Sequence, residues 1–341
     1  MPSRDNAVTR ERLLEMMTAY KSTYLLRAAI ELKVFDALAN GPCDPDDVAA
    51  ILRTDPRATR VLLRALAATG LLEVSGEQFT LAPGAAELLV TTSPGYGGGV
   101  VKVAASDHEW DAMRDLAEVV RRGGTLLGTG AEAPGFDYWV DFAEHLTFAT
   151  KPGAEWVAEL LGPWAGGREG LTVLDVGCGH GLFGFTLLGR HPGARGWCLD
   201  WPNVLEVAAR HADRLGVADR VAHLPGDAFE APLGGPYDVV LLGNVLFQFS
   251  QRRATELLRR LAGVLKPGGR VVIVSFTTGD RPPAEDHHAH LLGLLMLGWT
   301  AGGEMHSPTA YRKMLATAGL GATEAHERPG FPLRVITGER P

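Results

Sequence analysis

Three carboxylates and a run of glycines in the second half of the sequence are the residues best placed to do chemistry. Val173-Leu-Asp-Val-Gly-Cys-Gly-His-Gly181 reads as an apolar strand leading into three alternate glycines, and Leu182 to Leu188 is helix-like. Residues without a side chain let a ligand approach the backbone, here next to a helix N-terminus. Asp175, just before the first glycine, could receive a cationic amino group or orient the loop around it; a phosphate would be repelled. Gly179, Gly181 and Gly184 also satisfy G-x-G-x-x-G, and Asp200 follows at about the spacing that holds a ribose in dinucleotide folds. The glycines alone therefore leave NAD open. Asp200 ends the next strand-like run and suits both hydroxyls of an unphosphorylated ribose, which excludes NADP better than NAD. After a third run, Gly226-Asp-Ala-Phe-Glu230 offers Asp227 to an adenine amino group and Phe229 as an apolar wall. A third site at the same sheet edge argues against coincidence.

Other polar clusters have blander readings. Glu285-Asp286-His287-His288-Ala-His290 combines residue types that suit iron or zinc, but metal ligands usually converge from separate elements, and a solvated helix start is expected there, with no metal. Cys178 and His180 sit inside the glycine loop, where the backbone matters, and no chemistry is assigned to their side chains.

The elements that must position these residues follow from periodicity. From Leu171 the chain alternates short apolar runs (Leu171 to Val176, Gly196 to Asp200, Val221 to Pro225, Tyr237 to Leu242, Arg270 to Phe276) with helical stretches, the pattern of a parallel sheet with helices on both faces. Thr323 to Glu327 and Leu333 to Thr337, either side of Pro329-Gly330, read as a terminal hairpin. Upstream, Val8 to Leu38 reads as one or two amphipathic helices. Two short helices then open on Asp44-Pro45 and Asp55-Pro56, where Asp caps free N–H groups and Pro is pre-set for the first turn. Leu71 to Val74 and Gln78 to Leu81 flank Ser75-Gly76, and helix, helix, helix, hairpin is a winged-helix pattern. Read alone, that pattern suggests a DNA-binding module, but Ala58 to Thr69 carries only Arg60 and Arg64 among Ala and Leu, so packing or dimerisation is expected instead. Ser93 to Gly99 is a Gly-rich loop, and Ser106 to Arg122 and Ala143 to Leu161 are helices linking two domains. The expected boundaries are a winged-helix-like dimerisation domain over 1–100, a helical linker over 101–165 and a cofactor-binding domain over 166–341.

Length and charge set outer limits. A chain of 341 residues, 46% hydrophobic and 21% charged, can bury two cores. Its net charge of −7 argues against a nucleic-acid partner, which would demand clustered Lys and Arg. Three cysteines without Cys-x-x-Cys spacing suggest neither a disulfide framework nor zinc. Met-Pro-Ser-Arg-Asp is polar with no apolar signal segment after it, and Leu291 to Leu297 is too short to span a bilayer, so no membrane partner and a cytoplasmic location are expected.

Taken with Asp200-Trp-Pro-Asn-Val204, Leu265-Lys-Pro-Gly-Gly269 and Gly302-Gly303, the glycine loop and Gly226-Asp-Ala-Phe229 resemble, in order, the motifs of the S-adenosylmethionine (SAM)-dependent methyltransferases that dimerise through a winged-helix domain. That family includes plant and hydroxyindole O-methyltransferases and bacterial polyketide-tailoring enzymes, and the resemblance covers nearly the whole chain. It implies an α/β architecture: a Rossmann-like domain with a mostly parallel seven-stranded sheet and terminal hairpin, plus the helical N-terminal domain of an interlocked homodimer. It further implies SAM as cofactor and S-adenosylhomocysteine as product, with Asp200 on the ribose, Asp227 and Ala228 framing the adenine, and the glycine loop facing the methionine part. Asp175, Gly177, Gly179, Trp201, Phe229 and Asn244 complete the expected cofactor-binding set.

The acceptor half departs from the family. O-methylating members typically carry His-Asp-Trp after the fourth strand, with His as general base; here the sequence reads Val245-Leu-Phe-Gln-Phe249, which puts Phe247 at the base position. A supporting Glu often lies two residues past a Gly-Gly pair; here that residue is Met305. Methyl transfer displaces a neutral leaving group from a sulfonium carbon, so alignment and desolvation can suffice for an acidic or carbon-centred nucleophile. The expected activity is C- or O-methylation of a small aromatic or enolisable natural-product intermediate, in a pocket that includes His145, Phe247, Phe249, His290, Met296 and Trp299. His290 is the alternative base, set against a bland reading as an exposed helix residue; His145, near Tyr138, Trp139 and Phe142, is as readily a packed core histidine. The other functional readings are a SAM-retaining enzyme of another reaction class (hydroxylation, decarboxylation or pericyclic) and a winged-helix regulator.

Overall fold

The structure, a computed structural model, describes residues 8–128 and 130–341; the polar opening stretch Met1 to Asp5 lies outside the described residues. It divides into two compact units, one ending at Asp107 and one running from His108 onward.

In the first unit, the long apolar-periodic stretch breaks into α1 (Arg10–Thr18), α2 (Tyr20–Glu31) and α3 (Val34–Ala37), one more helix than the periodicity predicts. Lys33, in the left-handed conformation at φ 60°, makes the second break. Then come α4 (Pro45–Leu52), α5 (Pro56–Ala68), strands β1 (Leu72–Ser75) and β2 (Gln78–Leu81), α6 (Ala85–Leu89) and α7 (Val101–Ala104). Both Asp-Pro pairs start helices: Asp44 accepts the amides of Asp46 and Asp47 at 2.9 and 3.0 Å, and Asp55 that of Ala58 at 2.8 Å. The strands form an antiparallel hairpin, Leu72 opposite Leu81 and Ser75 opposite Gln78. Ala29, Phe35, Leu38, Val48, Leu63, Leu66 and Phe79 form the core beneath it. Because α5 begins at Pro56 it also carries Arg57, and Arg60 is engaged by Glu77 at 2.9 Å and Asp46 at 3.2 Å. Leu14, Met16 and Met17 on α1 are exposed.

The second unit opens with α8 (Asp107–Arg114), α9 (Leu116–Arg122), α10 (Tyr138–His145) and α11 (Thr147–Ala165), so each predicted linker helix is two helices. The sheet domain follows as β3 (Thr172–Val176), α12 (Leu182–Arg190), β4 (Arg195–Asp200), α13 (Pro202–Arg214), β5 (Val221–Pro225), β6 (Tyr237–Gly243), α14 (Gln251–Ala262), β7 (Leu265–Phe276), α15 (His287–Trp299), α16 (Pro308–Thr317), β8 (Gly321–His326) and β9 (Leu333–Glu339). The seven strands order as β5-β4-β3-β6-β7-β9-β8. The first five are parallel; β9 runs antiparallel to both β7 and β8. Alternate residues feed opposite layers. Val173, Val239, Leu241, Val272 and Val274 pack with residues of α11, α12 and α13, while Leu174, Val176, Val240, Leu242 and Ile273 pack with α14 and α16. Strand order reverses between β3 and β6, and the crevice outside the carboxyl ends of strands at such a switch point is where open α/β sheets bind ligands.

Candidate active site

The carboxyl ends of β3, β4, β5 and β6 bring together Asp175, the glycine loop, Asp200, Asp227 and Asn244. Asp175 is buried, with Oδ2 accepting the Gly184 amide at 3.0 Å. Loss of solvent raises its pKa to about 8 and the nearby Asp200 adds to this, against the single opposing hydrogen bond from Gly184. The loop is tied down by the Gly177 and Cys178 amides, which both donate to Leu199 O at 2.8 and 3.2 Å. Gly179 and Gly181 are left-handed, at φ 55° and 73°. They differ in what faces them: a Cβ at Gly181 would lie 2.3 Å from the Phe185 ring, whereas one at Gly179 would meet nothing nearer than Phe142 at 3.9 Å. Gly181 is needed for packing; Gly179 fronts open space, where a ligand can reach the backbone.

Asp200 is held by two amides, its Oδ2 accepting from Gly179 and its Oδ1 from Trp201, each at 2.8 Å. Burial still raises its pKa to about 6. Each oxygen keeps a second lone pair, so a ribose diol can be accepted without breaking either bond. Asp227 uses Oδ1 to accept the Phe229 amide at 2.8 Å. Asn244 is left-handed at φ 57°, and its Oδ1 is buried with no hydrogen-bond partner. A buried carbonyl left so is costly and marks a place where a donor is wanted. An acidic and carbonyl-lined end, a glycine that leaves the backbone open and a diol-accepting carboxylate together fit SAM, whose ammonium is a donor and whose ribose is unphosphorylated. Bound there, SAM would supply the electrophilic methyl group; Asn244 and Asp175 would face its cationic part, Asp200 the ribose, and Asp227, Ala228, Phe229 and Trp201 the adenine.

The acceptor-side residues separate into several environments. Phe247 is 5% exposed in the short turn Leu246–Gln248. Phe249 is buried edge-on to Phe229 at 5.1 Å. Met305 Cγ would lie 3.1 Å from a Cβ at Gly293, so this side chain packs on α15. Met296 and Trp299 are buried, and Trp299 Nε1 donates to His108 O at 3.1 Å with Tyr138, Phe136 and Trp139 rings at 4.5, 5.4 and 6.3 Å. Trp299 is thus a packing centre for the elements around it. His145 ends α10, partly buried. His290 is exposed on α15, as are His287 and His288. Among the described residues no group of three or more His, Cys, Asp or Glu could hold a metal.

Two features of the site have no counterpart in the sequence patterns. Arg253 of α14 stands over the Phe229 ring at 4.5 Å and reaches Glu132 at 3.5 Å, joining the adenine wall to the segment before α10. His180 is buried, with both ring nitrogens engaged. Glu132 lies 121 residues from Arg253 and Thr150 lies 30 from His180, so these two pairings leave no local signal.

Comparison with known proteins matches residues 168–321 to an O-methyltransferase domain and residues 14–91 to an O-methyltransferase dimerisation domain. The acetylserotonin O-methyltransferase of Mus musculus is 30% identical over 96% of this chain and 88% of its own length. The chain belongs to the O-methyltransferase family. It is a SAM-dependent methyltransferase that yields S-adenosylhomocysteine, and its N-terminal unit carries the family's dimerisation domain. A tetracenomycin polyketide synthesis 8-O-methyl transferase of Streptomyces glaucescens is 29% identical over 90% of each chain. Among solved structures, a candidate O-methyltransferase of Nostoc punctiforme superposes with a TM-score of 0.89 at 29% identity, covering 98% of this chain and 100% of its own. Within this O-methyltransferase, no helix among the described residues is long and apolar enough to cross a membrane.

Proposed function

We propose that this enzyme methylates a small, flat aromatic or enolisable natural-product intermediate, at oxygen or carbon, by aligning and desolvating the nucleophile without a histidine base. What supports the reading is that Phe247, at the position the sequence resemblance aligns with the family's base, is buried, and that Met305, at the position it aligns with the supporting carboxylate, packs on α15. Neither side chain can take a proton. An acidic hydroxyl enters already ionised, and a nucleophilic ring carbon gives up its proton to water only after the methyl has been transferred, so neither needs a base during the transfer; orientation in a dry pocket is worth up to roughly 7–11 kcal/mol of barrier. Acetylserotonin and polyketide synthesis stand in the names of the two relatives, in keeping with a small natural-product acceptor. His290, exposed on α15, is the residue left to accept a proton if one must leave. The working unit is a homodimer formed through the N-terminal domain, in keeping with the dimerisation match.

Methyl-labelled SAM incubated with a panel of acidic phenols, enols and simple alcohols tests this. Label is expected in the first two classes and absent from alcohols. Consumption of an acceptor without label transfer would replace the proposal by a SAM-retaining reaction of another class.

A further inference from the structure

A loop with three left-handed glycines in five residues has much freedom to lose, and backbone bonds alone hold only part of it. The start of α12 shows what holds the rest. Its N-cap position is Gly181, which has no side chain to answer the free amides of the first turn. Gly184 N–H finds Asp175; the Leu182 amide is answered by His180, whose Nδ1 accepts it at 3.1 Å. His180 therefore caps the helix from one residue upstream of the usual place.

Accepting at Nδ1 fixes the tautomer, because the amide can only donate. The proton must sit on Nε2, which lies 3.0 Å from Thr150 Oγ1 on α11. The ring is 3% exposed, and burial pushes its pKa down to about 3, so it stays in this state at working pH. Phe142 lies nearly parallel to it, 18° between planes with centroids 6.3 Å apart, and is also the nearest group in front of Gly179. One imidazole thus joins the glycine loop, the head of α12 and α11.

We propose that His180 is a positioning residue for SAM: by capping Leu182 and bonding Thr150 it holds Gly179 and Gly181 in the geometry the cofactor meets, so that SAM binds a preformed loop. A loop ordered beforehand spares the ligand that ordering, and affinity rises accordingly. This inference concerns SAM binding alone and does not depend on the acceptor.

Calorimetric titration of SAM into the full chain and three variants tests it, with cooperative melting of each as the folding control. His180→Ala removes both bonds and is expected to raise the Kd for SAM tenfold or more. His180→Asn places an oxygen as many bonds from Cα as Nδ1, restoring the bond to Leu182 but not to Thr150, and is expected to return the Kd to within threefold of wild type. Thr150→Val removes only the other bond and is expected to raise the Kd two- to fivefold. If His180→Ala does not fold, the Thr150→Val rise and near-normal His180→Asn affinity carry the test. A folded His180→Ala that binds SAM within twofold of wild type overturns the proposal. So does a folded His180→Asn that binds tenfold or more weakly than wild type, since the ring would then only fill space.

Discussion

Replacing Asp175 by asparagine should make the SAM-free protein more stable and the cofactor bind more weakly, and the pH dependence of the first effect follows from the site. The carboxyl is buried with one amide donor, and its pKa is about 8 when folded. In the unfolded chain a carboxyl of this type ionises near ~3.9. Between those values the unfolded chain has lost a proton that the native state keeps, so native stability falls as pH rises through this window and levels off above about 8. Asparagine does not titrate, has the same size and still accepts from Gly184. The stability advantage of Asp175→Asn should be small at pH 4 and grow with pH to roughly 4 kcal/mol at pH 7. Urea unfolding of SAM-free wild type and variant across this range measures it. SAM brings positive charge that favours the ionised acid, so wild type should release close to one proton on binding at pH 7, read as a buffer-dependent calorimetric heat. The variant should release less and bind at least tenfold more weakly, about the value of one charge-assisted hydrogen bond. A pH-independent stability difference, or an asparagine variant less stable at pH 7, would refute the reasoning.

Three further outcomes are expected. Gly179→Ala should fold with a small loss of stability, because its Cβ meets only Phe142 at 3.9 Å, yet bind SAM at least tenfold more weakly; Gly181→Ala, with a Cβ 2.3 Å from Phe185, should lose several kcal/mol in the same unfolding assay. Phe247→His should raise turnover of labelled SAM on weakly acidic hydroxyls if proton removal limits, and leave acidic phenols unchanged; an unaltered acceptor profile would make the position one of pocket shape only. His180 and His211 are both held neutral by burial, with pKa values lowered to about 3 and about 4. Unfolding near pH 5 should therefore take up close to two protons at these residues, so stability falls as pH drops below ~6.5; replacing His211 by glutamine should remove about half of that slope.

Strands β3 and β6 are legible because each is a short run rich in branched apolar residues stopped by glycine, and the Asp-Pro helix starts because cap and first turn are neighbours in sequence. Lys33 is not, since nothing local asks a lysine to turn left-handed; the packing of Val34 and Phe35 into the core beyond it does. The apolar pattern predicts β7 from Arg270, but the strand begins at Leu265, which pairs with Tyr237, and runs through Lys266-Pro-Gly-Gly269, a stretch whose composition says turn. At the site, the carboxylates were visible by their positions at strand ends. Trp299 suits both a pocket wall and a core by composition alone; its indole bond to His108 and the rings around it are invisible in the sequence. His180 bonds both Leu182 and Thr150, and the second partner, an element away, has no trace in the local sequence.

The place of β9 has a consequence for how the molecule is made. Strand β9, buried from Leu333 to Gly338, lies between β7 and β8, so both flanking strands wait for it. Until that segment leaves the ribosome, the apolar edge of β7 has no partner on that side, and an unpaired edge can template pairing with another chain. Synthesis of this half is thus a race between delivering its seventh strand and meeting a neighbour, which favours expression at low temperature with chaperones abundant.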